Sequence, residues 1–307
     1  MQPIKIWSLF TQSMQAWLDD DASSMGAALA YYTLFSIAPL LLIAIAVAGF
    51  FFGQEAARGE IVGQIQQLIG REGAIAVQGM LQSARDPTNG ALASAAGLVA
   101  LVVGATTVFA ELQSDLDRIW RVSAPTRWNG LCGFLRSRML SFGLVLGLGF
   151  LLLVSLLFGA VVAALGKWGE GLIQQWGVVF HVFNLGISFA VTTLLFALIY
   201  KLMPRTRLAW RDVWLGAEVA AVLFELGKFL IGLYLGKSAV ASSFGAAGSL
   251  VVLLVWVYFS AQIFLLGAEF TRVYAHQYGS RAGRPAPGSA QALAAPGGSD
   301  PEQRRVG

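Results

Sequence analysis

Several of the chain's ionisable residues lie in segments that disfavour charge. The run 213–235 is apolar enough to cross a bilayer, yet it contains Glu218, Glu225 and Lys228. A charged group at the centre of a membrane helix costs about 2.5–3.5 kcal/mol on insertion scales, so such groups need partners or a use. Glu218 and Glu225 are seven residues apart, which puts them on one helix face. Glu225 and Lys228 are three apart and can pair directly. With the helix starting near Asp212, Glu218 lies about 9 Å deep, Glu225 about 20 Å and Lys228 about 24 Å. The run 178–202 crosses the other way and is expected to bring His181 and Asn184 to the depth of Lys228. These five residues form a candidate intramembrane polar pathway, suited to a proton or an anionic headgroup. A structural alternative stays open. Lys228 neutralises Glu225 and snorkels outward, His181 sits at a helix start or in the headgroup layer, and Glu218 joins helices.

Other catalytic chemistry is absent from the sequence. It has no glycine-rich phosphate loop, no HExxH zinc motif and no nucleophile elbow. Two histidines and the single Cys132 make neither a metal cluster nor a disulfide. Glu111, Asp115 and Asp117 offer oxygen ligands. Arg118 and Arg121 follow at ion-pairing distance, which predicts a solvated, salt-bridged helix instead. No enzymatic activity, cofactor or metal is expected.

The elements that must hold these residues follow from composition. Of 307 residues, 56% are hydrophobic and 12% charged, against about 25% charged in soluble domains. That excludes an ordinary soluble globule. Six apolar runs, at about 26–52, 91–110, 140–165, 178–202, 213–235 and 247–268, are each long enough for a hydrocarbon core of about 30 Å. The predicted fold is all-α, a polytopic membrane protein with six transmembrane helices and amphipathic interfacial helices. Residues 1–25 form an N-terminal unit without a cleavable signal. Its segment 4–18 reads as an amphipathic helix with Trp7, Phe10, Met14, Trp17 and Leu18 on one face, placed in the interface or against the bundle. The transmembrane domain covers 26–278. Pro39 predicts a kink in the first span, beside a polar stripe that includes Tyr32 and Ser36. Residues 54–90 read as a loop holding two short surface helices separated by Gly70 and Gly73. The second span is predicted to extend past the membrane through Leu112, Leu116, Ile119 and Trp120. Gly143/Gly147 and Gly232/Gly236 are small-xxx-small patterns that allow close helix approach. The stretch 279–307, rich in Gly, Pro, Ala and Ser, reads as a disordered tail.

Charge sets the orientation. With six spans, fifteen Lys and Arg residues fall on the side of the termini, five on the other, and Lys228 lies within a span. The positive-inside rule places both termini in the cytoplasm. It also explains the net charge of +4 without nucleic acid.

Two stretches carry a family resemblance: GAALAYYTLFSIAPLL from Gly26 through Tyr32, Ser36 and Pro39, and SFGAAGSLVVLLVWVYFSAQIFLLGAEF from Ser243 through Gly245, Gly248 and Glu269 to Phe270. Both resemble the YihY/virulence factor BrkB family, as does the segment around Arg211, Trp214 and Gly216 with Lys228 and Tyr234. The resemblance covers about residues 10–275. It implies a bacterial inner-membrane protein with six helices. It supplies no settled activity: a former ribonuclease BN label is regarded as misassigned, some members are associated with serum resistance, and one branch with lipid A precursor export. The expected function is transport or export of a lipid or other amphipathic anion, linked to envelope integrity. The alternative is a non-transporting scaffold or envelope-assembly factor. Membrane lipids are the expected partners, nucleic acid is not, and a homo-oligomer is left open.

Overall fold

A computed structural model describes residues 6–83, 107–122, 173–237 and 247–282. The third span (140–165), most of the second, Gly143/Gly147, Gly245, Cys132 and the tail from 283 lie outside the described residues. All regular structure among the described residues is helical. The elements are α1 (Ile6–Asp19), α2 (Ala22–Phe52), α3 (Gln54–Ser83), α4 (107–119), α5 (Ile173–Leu202), α6 (Trp210–Lys237) and α7 (Gly248–Gln277).

A tight corner separates α1 from α2. Asp20 N–H donates to Ala16 O and Asp21 N–H to Leu18 O. Asp21 then takes a left-handed conformation (φ 55°, ψ 43°), which Asp tolerates better than most residues. α2 continues through Pro39 as one helical element. Gly53 ends it with φ 85°, and its N–H donates to Gly49 O. The chain turns straight into α3, so the two short helices read from the sequence extend to fill residues 54–83. Gly70 (φ 79°, ψ 177°) divides α3 into two pieces, at one of the two glycines singled out from the sequence. The second piece does not simply lie on a surface. Ala74, Ala76, Val77 and Leu81 are buried, the last three in a cluster with Ile45 of α2 and Leu253 of α7. The apolar stripe of α3 finds a better partner in protein than in an interface.

α7 touches α1, α2, α3 and α6, and α5 pairs with α6. Lipid tails are as apolar as the side chains, so helix association here rests on close packing and hydrogen bonds. The sequence supplies small residues at the contacts: Ala217, Ala220 and Ala221 on α6 and Ala268 on α7 are fully buried. A Cβ on Gly267 would stand 2.6 Å from Ala220 Cβ and 2.5 Å from the Tyr200 hydroxyl. Tyr200 lies against Phe264 (centroids 5.0 Å apart) and donates its hydroxyl to Phe264 O at 2.7 Å. By contrast, a Cβ on Gly232 would meet nothing within 4 Å. Among the described residues, close approaches are made at Gly26, Gly216, Gly227 and Gly267, and not at Gly232.

α2 over Ala22–Ala46 and α7 over its whole length are long and apolar enough to cross a membrane, and Gly186–Leu202 of α5 is a shorter apolar segment. α4 is not the solvated helix its charges suggest. Gln113, Asp115, Leu116, Ile119 and Trp120 are buried, the last three in one core with α2, α5, α6 and α7.

Candidate functional site

The pair predicted on α6 is formed. Lys228 Nζ donates to Glu225 Oε1 at 2.8 Å, with the side chains 22% and 26% exposed. The same ammonium lies 5.5 Å from the centre of the Phe224 ring, close enough for a cation–π contact. Phe224 is itself edge-on to Phe196 of α5. Glu218 is exposed and shares the helix face of Glu225. That face continues through exposed Val222, Leu226 and Phe229. The pair therefore sits at the flank of α6, where aromatic packing meets an outward apolar surface.

His181 and Asn184 lie on α5, and their side chains are outside the described residues. The helix register still locates their backbone. Phe196 is level with Phe224, and α5 and α6 run antiparallel, so Lys228 is level with residue 192. Asn184 then lies about 12 Å and His181 about 16 Å further along the axis. Gln262 of α7 lies closer to the pair's level: Gly227 packs on Ile263, and Gln262 on Gly26. Gln262 Nε2 donates to Ser23 O at 3.3 Å.

A second polar cluster lies where α1, α2, α4 and α7 meet. Asp20 is 2% exposed and Glu269 fully buried. Arg121 Nη2 lies 2.6 Å from Asp20 Oδ1. Arg272 donates through Nε (2.9 Å) and Nη2 (2.8 Å) to Glu269 Oε2, and its Nη2 is 3.7 Å from Asp20 Oδ2. The His276 ring stacks near Trp120, and the Arg281 guanidinium lies 5.1 Å over the same indole. Among the motif residues, Glu269 belongs to this cluster. Ser36 and Gly248 are buried, and Tyr32 and Pro39 half-buried.

Asp117 and Arg121 do not form the pair read from their spacing. Asp117 accepts the Arg205 backbone N–H at 2.7 Å and lies 3.5 Å from its side chain. Arg121, left-handed at φ 51°, turns away from Asp117 to reach Asp20. A docked helix offers tertiary partners that spacing alone does not reveal. Asp115, buried with one oxygen lacking a donor, is pushed from its ordinary 3.8 up to about 7, chiefly by burial and then by Glu111, with Arg118 opposing. Burial also raises Asp117, against the Arg205 amide. Gln113 donates to Met203 O at 2.9 Å, and Asp212 accepts from Ser280 Oγ at 2.6 Å. Among the described residues no group of His, Cys, Asp and Glu is arranged to hold a metal ion.

The α6 pair can neutralise, hold or release an anion at the edge of an apolar helix. The Asp20–Glu269 cluster can hold helices together or hold a proton. Sequence reasoning missed Asp20, Arg121 and Arg272 as site residues. The available signal was an acidic triplet, 19–21, at a helix junction.

Comparison with known proteins sets these features in a family. The family described as virulence factor BrkB matches residues 13–292. A UPF0761 membrane protein of Alcanivorax borkumensis is 28% identical over 87% of this chain, and the match spans 60% of that relative's length. UPF0761 membrane protein PSHAa0171 of Pseudoalteromonas translucida is 28% identical over 85% of this chain and 83% of its own. A UPF0761 membrane protein of Stenotrophomonas maltophilia is 30% identical over 83% of this chain and 58% of its own. No solved structure matches the chain significantly. On the match across nearly its whole length, together with its apolar helices, the chain belongs to the virulence factor BrkB family of bacterial membrane proteins.

Proposed function

We propose that this chain is a multi-pass inner-membrane transporter or exporter of a lipid or other amphipathic anion, with six spans, both termini in the cytoplasm and no enzymatic activity. The observation that carries this reading is the Glu225–Lys228 pair, 2.8 Å apart and half-buried on a helix flank. A cation held by an internal carboxylate is masked until a competing anion arrives. A phosphate or carboxylate headgroup arriving along the α6 flank can take Lys228 from Glu225 while its apolar portion stays against Val222, Leu226 and Phe229. The test is movement of labelled anionic lipid in proteoliposomes. Wild type should move it, and well-folded Lys228→Ala and Glu225→Gln should each lose most of that movement. Full movement in Lys228→Ala removes the site; none in folded wild type, across several anionic lipids and pH values, removes the transport reading.

A second reading, a scaffold or envelope-assembly factor, draws on α1. Trp7 is 78% and Leu18 63% exposed, while Leu9 and Ser13 on the other face are buried. Of the amphipathic face found in the sequence, Trp17 packs against the core, while Trp7, Met14 and Leu18 are left exposed by the described residues. A stoichiometric partner that co-purifies with wild type and is lost in Trp7→Ser supports it.

A further inference from the structure

Two buried carboxyl groups face each other at the α1–α2 corner without enough protons between them. Glu269 spends Oε2 on both N–H groups of Arg272. Asp20 spends Oδ1 on Arg121. The remaining oxygens, Asp20 Oδ2 and Glu269 Oε1, are buried with no hydrogen-bond donor. One guanidinium brings the two carboxyl groups together: Arg272 Nη2 is 2.8 Å from Glu269 Oε2 and 3.7 Å from Asp20 Oδ2. Arg272 does not solve this, because its 3.7 Å to Asp20 Oδ2 is too long for a hydrogen bond. Arg121 does not either: it is 46% exposed, so water screens much of its charge.

Two ionised carboxylates in such contact repel, and one of them is driven to protonate. A single proton turns both orphaned acceptors into one O–H···O⁻ hydrogen bond, of the short, charge-assisted kind. We propose that Asp20 and Glu269 form a proton-binding site, holding one proton between them and tying the α1–α2 corner to α7 while it is bound.

The charged and titratable groups facing the pair are identified element by element. Arg121 comes from the end of α4, and Arg272 from α7. His276 follows one turn later, with Nδ1 2.9 Å from Arg272 O and its ring on Trp120. Asp19 and Asp21 flank Asp20 and are exposed. The sign follows from the geometry. Both acids are ordinary carboxyls in an unfolded chain and lose their protons near pH 4. The folded corner keeps one, so the tie is complete at acid pH and is lost as pH rises. Loss of the proton leaves two adjacent anions, and α1 parts from the end of α7. Gln12 and Gln277, hydrogen-bonded across that contact, report the separation.

The experiment uses the full chain in lipid nanodiscs, with Cys132→Ser for labelling and Asp115→Asn to remove a competing buried acid. Spin labels replace Gln12 and Gln277, and distance is followed between about pH 5 and 9. Infrared difference spectra follow protonated carboxyl over the same range. The expected result is loss of about one carboxyl proton per chain, coincident with lengthening of the distance. Glu269→Gln supplies a permanent N–H donor; it should lose the carboxyl signal and keep the short distance throughout. A wild-type distance independent of pH, or a carboxyl signal that survives in both Glu269→Gln and Asp20→Asn, overturns the proposal. Should those variants not fold, the distance titration without them decides alone. Transport plays no part in either readout, so the proton site is tested independently of the transport reading.

Discussion

At the scale of single residues, several charges in this protein are partnered or buried in ways their sequence positions conceal. Asp115 shows what that means for stability. Its carboxyl titrates at about 7, against an ordinary 3.8, mainly because burial disfavours the anion. The folded chain therefore holds this proton over a range where the unfolded chain has released it. Stability contributed at Asp115 is greatest below the ordinary value and falls as pH rises towards about 7. Above that it stays low, because the anion must remain buried with one oxygen lacking a donor. Asp115→Asn keeps the shape and removes the titration. The expected outcome is a thermal midpoint of detergent-solubilised protein that falls less between about pH 5 and 7 than in wild type. An identical slope in the two proteins would show that Asp115 is already ionised throughout. Any slope left in the variant belongs to other groups, with Glu269 the first candidate.

At the scale of elements, small residues decide where helices meet. Gly267 sits where α5, α6 and α7 converge, and an added Cβ would collide with Ala220 Cβ at 2.6 Å and with the hydroxyl of Tyr200 at 2.5 Å. Gly267→Ala should destabilise the bundle by about 1–3 kcal/mol, read as a lowered thermal midpoint. Removing the facing methyl with Ala220→Gly in the same chain should return part of that loss. Gly232→Ala is the control and should cost nothing, since its surroundings are open. Equal effects at 232 and 267 would deny that the three-helix contact depends on close approach. The contrast explains what could be read in advance. Gly232 has the spacing of a contact but faces open space, whereas Gly267, four residues before Thr271, has small-residue spacing too and makes the contact, so spacing alone does not separate them. Helix identity in α1, α2, α5, α6 and α7 follows from apolar length and period. The Glu225–Lys228 pair was readable for the same reason, because i and i+3 on one helix meet whatever surrounds them. The Asp20–Arg121 and Asp117–Arg205 contacts join residues about 90 to 100 positions apart, which no local period encodes. The error in α3 has a related cause. Its periods read as two short surface helices separated at the glycines, but the stripe of Ala76, Val77 and Leu81 has a buried partner in α2 and α7.

At the scale of the whole molecule, the polar clusters acquire direction from topology. α2 and α7 are antiparallel, since Gly26 lies against Gln262 and the Asp20 corner lies against Arg272. One end of the bundle therefore gathers Asp20, Arg121, Arg205, Arg272 and Arg281. The opposite end of α6 carries Lys237. This basic asymmetry agrees in sense with the fifteen-to-five division of Lys and Arg in the sequence. If the positive-inside rule governs insertion, the proton site opens towards the cytoplasm and Lys228 lies beyond it, about 13 Å along the axis from the level of Glu269. Reporter fusions test this directly. A phosphatase that is active only outside the cytoplasm should be inactive when fused at residue 279 and active when inserted in 166–177. A cytoplasmic fluorescent reporter should give the reverse. The opposite pattern would leave every distance in the protein unchanged but invert its use. Asp20 and Glu269 would then answer to periplasmic pH, and an anion reaching Lys228 from the near side would come from the cytoplasm.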